Sequence, residues 1–192
     1  MEPPADPRAR TVELRALTPE DAEAYRPLRL EALRDAPSAF ASSFEEEAAR
    51  DLDALRARLR AGPDGATFGA FLDGRLVGTS SIFRLPRLKE HHKAYLVGMY
   101  VAPAARRTGI GRALVAAVLE RARAMPGLRQ VLLGVEAGNA PARALYEAFG
   151  FEAFGYEREA LVVEGVAYDE VHMVRFLEDG GAASAPDASP PR

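Results

Sequence analysis

The segment RRTGIGR, residues Arg106–Arg112, lies between a predicted strand and the start of a predicted helix. Gly109 and Gly111 allow a tight turn, so that successive backbone N–H groups and the positive end of the helix converge on one point. With three arginines, the segment predicts a phosphate or pyrophosphate site; the alternative is an arginine-rich first turn of a surface helix. It is not a dinucleotide fingerprint, which needs glycine at Leu114, nor a Walker loop, which needs lysine at Arg112.

This turn belongs to a predicted strand-helix-strand unit. Ala94–Val101 is an apolar strand interrupted by Gly98, and a glycine inside a strand often marks a bulge or a close backbone approach. The helix after the turn is predicted by apolar residues at helical spacing, namely Ile110, Leu114, Val118 and Ala122. Val131–Val135 follows as a short, nearly continuous apolar strand. The connection through a helix predicts that the two strands are parallel.

The rest of the chain predicts hairpins and helices on both sides of this unit. The other predicted strands are Thr11–Leu17, Ala66–Leu72, Leu76–Leu85, Phe151–Val163 and Val166–Leu177, with hairpin turns at Asp73-Gly74 and Glu164-Gly165. The other predicted helices are Thr18 to about Asp35, one from the capping box of Ser43 and Glu46 to Gly62-Pro63, and Asn139–Phe149, followed by Gly150. The order predicts a single α/β domain with a mixed sheet, parallel in the middle, antiparallel at its ends and flanked by helices.

The composition is typical of one globular domain. The chain has 192 residues, with 25 Lys and Arg against 28 Asp and Glu, a net charge of −3 and no cysteine. The absence of cysteine excludes disulfides, thiolate nucleophiles and cysteine-based zinc sites. We expect the domain at residues 11–177, between flexible tails at 1–10 and 178–192 that have too little apolar surface to order.

The charge and hydropathy also bear on partners and location. A pI near 5.7 argues against a dedicated nucleic-acid-binding protein. No apolar run approaches the roughly 18–20 residues of a membrane span, and the first ten residues are no apolar signal segment, so we expect a cytoplasmic protein without a membrane partner. Three histidines and no H-E-x-x-H motif argue against a metal site. The C-terminal strand is a candidate edge for a homodimer.

A second motif, NAPARALYEAFGF, lies downstream at Asn139–Phe151. In that order, the two motifs resemble the R/Q-x-x-G-x-G/A and N-x-x-A-x-x-L-Y-x-x-x-G-F signatures of the GCN5-related N-acetyltransferase (GNAT) superfamily. The preceding strand MYVAP, Met99–Pro103, is similar to the superfamily's cofactor strand. The resemblance covers about Leu76–Phe176 by element order and is motif-specific from Val97 to Phe151. Together the two motifs are a specific signal, although the first alone is weak.

The resemblance implies acetyl-coenzyme A (acetyl-CoA) as co-substrate, held in an opening between a splayed pair of parallel strands. The pantetheine arm is expected to pair with the backbone of the first strand like an added strand, and the pyrophosphate to bind the glycine turn. The expected cofactor-binding residues are Met99, Tyr100, Val101, Arg106, Arg107, Thr108, Gly109, Ile110, Gly111, Arg112 and Asn139. A backbone N–H at Met99–Val101 is the expected oxyanion donor.

The same resemblance implies one catalytic role and leaves the general base open. Tyr146 matches the tyrosine that protonates the leaving sulfur, and the alternative is a core aromatic. Asn139 also fits the N-cap of its helix. Many family members carry a Glu on the cofactor strand, but Lys93–Val101 has no Asp or Glu. We favour Glu136 as the general base because the ends of adjacent parallel strands point at a shared crevice. The other candidates are Glu45–Glu47, His91, His92, His172 and an ordered water chain.

The sequence therefore predicts an acetyl-CoA-dependent N-acetyltransferase that transfers directly to a primary amine of a small molecule or peptide. The alternatives are a non-catalytic acyl-CoA-binding regulatory module and an unrelated phosphate-binding surface module. Selectivity for the acceptor is expected from the N-terminal helices, Pro86–Lys93 and the last hairpin. Four acidic residues near these helices either attract a cationic amine or are solvated helix charges, namely Glu45, Glu46, Glu47 and Asp51.

Overall fold

A computed structural model describes residues 11–177. Its strands are β1 Val12–Ala16, β2 Gly65–Leu72, β3 Arg75–Arg84, β4 Lys93–Val101, β5 Gln130–Glu136, β6 Glu152–Val163 and β7 Val166–Phe176. All seven form one sheet in the order β1-β2-β3-β4-β5-β7-β6. The pairs are antiparallel except β4 with β5, which is parallel. The predicted α/β fold with a mixed sheet and a central parallel pair is confirmed. The tails predicted at 1–10 and 178–192 lie outside the described residues.

Helices cover both faces of the sheet. They are α1 Ala22–Asp35, α2 Phe44–Ala48, α3 Leu52–Leu59, α4 Ile110–Arg123 and α5 Ala140–Glu147. Side chains alternate between the faces of a strand, and in β3 Leu76 packs in the core beneath α1 and α3, whereas Val77 packs with the first turns of α4. None of these helices has the length and apolar character that a membrane crossing requires.

The single helix predicted from Ser43 to Gly62 is wrong, because two short helices occupy this stretch. The capping box is present, since Ser43 accepts a hydrogen bond from the Glu46 amide and Glu46 accepts one from the Ser43 amide. However, α2 ends at Ala48, and Asp51 caps a new helix by accepting a 2.6 Å hydrogen bond from the Ala54 amide. The second N-cap begins a new helix in a different direction, and Leu55 and Leu59 of this helix pack under α1.

The prediction that the C-terminal strand lies at a sheet edge is also wrong. β7 lies between β5 and β6, so β6 is the edge strand. The tight turn at Glu164 and Gly165, both with positive φ, folds β7 back against β6 and into the space beside β5.

Candidate active site

β4 and β5 part in the middle of the sheet. Their pairing joins Lys93–Tyr95 to Gln130–Leu132 and goes no further along the described strands. Beyond Tyr95, the main-chain groups of β4 that face β5 therefore have no partner strand. The parallel pair is splayed, as the resemblance implied.

Gly98 produces the bend that opens the pair. It has φ of +64°, and while β3 advances two residues from Thr79 to Ser81, β4 advances three from Val97 to Tyr100. This is a β-bulge, as the sequence predicted. The buried Thr79 stabilises it, because its hydroxyl donates a 3.2 Å hydrogen bond to the Gly98 carbonyl.

The turn before α4 leaves the helix N-terminus open. Gly109 occupies the N-cap position with φ of +87°. It has no side chain that could accept a hydrogen bond from the first amides of the helix. The Thr108 hydroxyl donates a 2.6 Å hydrogen bond to the Ala105 carbonyl, which holds the turn in place. Four N–H groups at a helix N-terminus lack intrahelical partners, and they favour an anion.

The three arginines of the turn have different surroundings. Arg106 is held by the protein itself, because its Nε donates to the Val101 carbonyl at 2.9 Å and its guanidinium pairs with Asp35. The backbone N–H of Arg106 also donates a hydrogen bond to the Pro103 carbonyl. Arg112 lies over the ring of Phe149, 5.1 Å from its centre, and Arg107 is exposed. Arg107 and Arg112 are thus the arginines of the turn that have no carboxylate partner among the described residues.

A cavity of about 380 Å³ occupies the opening between β4 and β5. It brings together the predicted residues Met99, Glu136, Asn139 and Tyr146. Three charged residues that the sequence analysis did not single out also line it, namely Arg29, Arg58 and Glu170. The cavity lining does not include Tyr100, Val101 or the glycine turn. These residues follow Met99 in the chain and lie between the cavity and the start of α4. No group of three or more His, Asp or Glu within residues 11–177 is arranged to hold a metal ion.

Tyr146 is buried in the wall of this cavity. It is 5% exposed, and its ring packs edge-on against Phe151 with centres 5.8 Å apart. Burial raises the pKa of Tyr146, so the phenol stays protonated at neutral pH. Among the described residues its hydroxyl has no hydrogen-bond partner, which leaves the proton available to a group in the cavity.

Asn139 caps α5, as predicted. Its Oδ1 accepts a 3.1 Å hydrogen bond from the Ala142 amide. Because Asn139 also lines the cavity, its side-chain NH₂ group is free to donate to a bound molecule while the oxygen caps the helix.

Two carboxylates face each other across β5 and β7. Glu136 and Glu170 are directly paired in the antiparallel ladder, so their side chains leave the same face of the sheet and both line the cavity. The Ser38 hydroxyl donates a 2.5 Å hydrogen bond to Oε2 of Glu136. Burial raises the pKa of Glu170. A β-carbon at Gly134 would lie only 2.6 Å from Oε2 of Glu170, so this glycine leaves room for the carboxylate.

The other general-base candidates lie outside this cavity's lining. Glu46 belongs to the capping box, and Glu47 is 1% exposed and paired with arginines. His91 contacts the Leu85 carbonyl, and His172 lies 2.8 Å from Glu157. Glu45 and His92 also do not contribute to the lining. Of the carboxylates considered in the sequence analysis, only Glu136 faces the cavity among the described residues.

A larger groove of about 780 Å³ adjoins the cavity. The two share Phe40, Ala41 and Ser42, and the groove continues between the start of α2 and the β6–β7 hairpin. The groove lies in the region where selectivity for the acceptor was expected from the sequence.

The comparisons with known proteins agree with this geometry. The model of the Acetyltransferase (GNAT) family matches residues 29–151, which is more than half of the chain. The protein belongs to the GNAT acetyltransferase family, whose enzymes use acetyl-CoA as co-substrate. The comparison with curated proteins gave no match.

Solved structures of GNAT proteins share the fold. A GNAT-family acetyltransferase from Streptococcus pneumoniae is 21% identical with a TM-score of 0.78, covering 87% of this chain and 99% of that one. The putative acetyltransferase yncA from Salmonella typhimurium, solved with its cofactor acetyl-CoA, is 21% identical with a TM-score of 0.78, covering 93% and 99%. The ribosomal-protein-alanine N-acetyltransferase from Brucella melitensis is 28% identical with a TM-score of 0.71, covering 86% and 99%.

Proposed function

We propose that this protein transfers the acetyl group of acetyl-CoA directly to a primary amine of a small molecule or peptide. The observation that carries the proposal is the cavity in the β4–β5 opening, which joins a buried, protonated Tyr146 to a pair of carboxylates. A non-catalytic acyl-CoA-binding module would need none of these three groups inside the cavity.

The residues around the opening fit the pantetheine arm and the pyrophosphate of acetyl-CoA. Met99, Tyr100 and Val101 would pair with the pantetheine arm through their backbone, since β4 lacks a partner strand there. The amides that open α4 would bind the pyrophosphate, with Arg107 and Arg112 adding charge. Arg106 would shape the turn through Asp35 and Val101. The Asn139 NH₂ group would donate to the arm.

The chain's own groups account for each proton in the reaction. Glu136, with Glu170 opposite, takes a proton from the acceptor ammonium so that its nitrogen can attack the thioester carbonyl carbon. The backbone N–H groups of Met99–Val101 stabilise the charge that builds on the carbonyl oxygen. As the new C–N bond forms and the C–S bond breaks, Tyr146 gives its proton to the departing sulfur. The acylated nitrogen still carries one proton more than the amide product, and it gives this proton to the Tyr146 phenolate, which restores the phenol. Glu136 then releases its proton to solvent. No acyl-enzyme forms, since the chain has no cysteine and no G-x-S-x-G serine.

Acetyl transfer to a mixed set of amines tests this function. The purified protein is incubated with acetyl-CoA and with amino acids, polyamines, aminoglycosides and short peptides. Mass spectrometry detects amines that gain one acetyl group, and a thiol reagent follows the release of coenzyme A. We expect at least one acetylated amine, with release of thiol in equal amount. Binding of acetyl-CoA without transfer to any amine would favour the non-catalytic module. The 28% identical Brucella protein is the reason for including peptides that begin with alanine.

Glu136→Gln is expected to lower turnover most at low pH. At high pH more of the acceptor amine is already unprotonated, so the base matters less, whereas at low pH the proton must be removed on the enzyme. The expected loss is about 10²-fold at the acid end of the profile and smaller at the alkaline end. A pH profile of kcat/KM measures it. Glu147→Gln, at an exposed carboxylate on α5 outside the cavity, is the matched control.

The profile also separates the two carboxylates. In Glu170→Gln, kcat/KM is expected to lose its acid limb and to stay low at every pH. Burial raises the pKa of Glu170, activity is lost as the pH falls through that pKa, and glutamine imitates the protonated carboxyl at every pH. An equal effect of Glu136→Gln at every pH would remove Glu136 as the base.

A further inference from the structure

Arg29 is a buried cation in the wall of the active-site cavity. It projects from α1, is 6% exposed and lines the cavity. Its guanidinium lies over the ring of Phe40, 4.6 Å from the ring centre. Its Nε has no hydrogen-bond partner among the described residues, and the carboxylate of Glu47 is 3.7 Å away, beyond hydrogen-bond distance. A buried guanidinium with an unused donor is unfavourable unless another group supplies an acceptor.

Glu47 does not neutralise the positive charge around Arg29. Its buried carboxylate is shared with Arg50 at 3.2 Å and Arg58 at 3.4 Å, in addition to Arg29. One carboxylate for three guanidinium groups leaves the cluster with excess positive charge. Two of the three, Arg29 and Arg58, line the cavity, whereas Arg50 does not. The excess charge therefore faces the cavity.

The cavity lining also carries acidic groups. Glu136 and Glu170 come from β5 and β7, whereas Arg29 and Arg58 come from α1 and α3. A molecule with an amine at one end and an acid at the other is complementary to this lining, its amine at the carboxylates and its acid at the arginines. The cavity volume of about 380 Å³ is of the size that a small acceptor beside the acetyl group requires.

We propose that Arg29 and Arg58 bind a carboxylate carried by the acceptor, so that the acceptor is a small amino carboxylate such as an amino acid. The proposal rests on the acetyl transfer proposed above and names its substrate class. Arginine suits this role because its planar fork matches a carboxylate with two parallel hydrogen bonds.

Matched acceptors test the substrate class. Acetyl transfer is measured for L-amino acids, for their carboxamides, and for the amines that lack the carboxyl group altogether. For every amino acid that is accepted, kcat/KM is expected to exceed that of the other two compounds by about tenfold or more. This comparison favours the carboxamides, because their amines are less basic and a larger fraction of them is unprotonated at a given pH. A measured preference for the carboxylates therefore underestimates the contribution of the carboxyl group. Equal or faster transfer to the carboxamides, or transfer to peptides alone, would overturn the proposal.

Paired arginine variants test the assignment to residues. Arg58→Gln is expected to reduce the preference for carboxylate over carboxamide by about tenfold, through KM for the acceptor. Arg50→Gln is the control, since it also removes one partner of Glu47 but lies outside the cavity lining. An unchanged preference in Arg58→Gln would contradict the assignment. Arg58 is partly exposed, so the variant is expected to fold even where a change of Arg29 does not.

Failure of this proposal is distinguishable from failure of the proposed function. If the protein acetylates amines without preferring the carboxylates, only the substrate class is wrong. If it acetylates none of the amines or peptides and acetyl-CoA does not raise its melting temperature, the proposed function is wrong as well.

Discussion

Tyr146→Phe is expected to lower kcat by about 10²–10⁴-fold, the usual contribution of a positioned general acid. The phenol of Tyr146 is the one tyrosine hydroxyl that lines the β4–β5 cavity among the described residues, and its raised pKa keeps it protonated. Phenylalanine keeps the edge-on packing against Phe151 and removes only the proton donor. Folding and affinity for acetyl-CoA are therefore expected to stay close to those of the unsubstituted protein.

Steady-state kinetics with a good acceptor, together with a binding titration of acetyl-CoA, measure this effect. Because the pKa of Tyr146 is raised, the defect is expected to be similar across the neutral range rather than confined to one end of it. Tyr95→Phe is the control, since Tyr95 lies on β4 before the opening and outside the cavity lining. Full turnover of Tyr146→Phe at every pH would show that Tyr146 is only a core aromatic.

Gly109→Val is expected to weaken acetyl-CoA binding by about tenfold to a hundredfold. Gly109 has φ of +87°, and a β-branched residue in this region carries strain of about 1–3 kcal/mol. The turn is expected to relieve the strain by rotating its backbone, which moves the first amides of α4 away from a common point. A binding titration and the shift in melting temperature with acetyl-CoA measure the loss.

Gly74→Val is the matched control for this variant. Gly74 has φ of +79°, and a β-carbon at either glycine meets nothing within 4 Å, so the two substitutions have the same steric surroundings. Gly74, however, forms the β2–β3 hairpin turn rather than the start of α4. Both variants are expected to be less stable, but only Gly109→Val is expected to lose acetyl-CoA. Unchanged affinity in Gly109→Val would remove the phosphate site from the turn.

The parts of the fold that were predictable from sequence depend on local signals. Gly109 and Asn139 were predictable because particular residues are preferred at the starts of helices. The Asp73-Gly74 turn was predictable because such a hairpin turn requires residues that tolerate positive φ. The bulge at Gly98 follows from a single glycine in an apolar strand. These signals lie within a few residues of the feature that they specify, which is why the turn, the bulge and the Tyr146 helix were all predictable.

The acceptor end of the site depends on contacts between distant residues. Glu170 faces Glu136 only because β7 inserts beside β5 in one register, and a shift of one residue would turn it to the other face. Ser38 reaches Glu136 across 98 positions of sequence. The pairing of Arg106 with Asp35 also joins distant segments, and no local sequence signal indicates it.

The acidic segment before α3 shows how the two kinds of signal differ. A run of Glu45, Glu46 and Glu47 predicts either a cation-attracting surface or solvated charges. In the structure, Glu46 belongs to the capping box of α2, and Glu47 is buried and paired with three arginines. Only the fold shows that this segment supports a basic wall at the cavity rather than an acidic one.

The melting temperature with acetyl-CoA, free coenzyme A and NAD, each titrated separately, tests the cofactor site most directly. A ligand at 100 times its Kd stabilises a protein by about 2.7 kcal/mol, or roughly 5–10 °C for a domain of this size. We expect a rise of this order with acetyl-CoA and with coenzyme A, and none with NAD. No rise with either coenzyme A species, or an equal rise with NAD, would contradict the assignment of the β4–β5 opening and the α4 turn to acetyl-CoA.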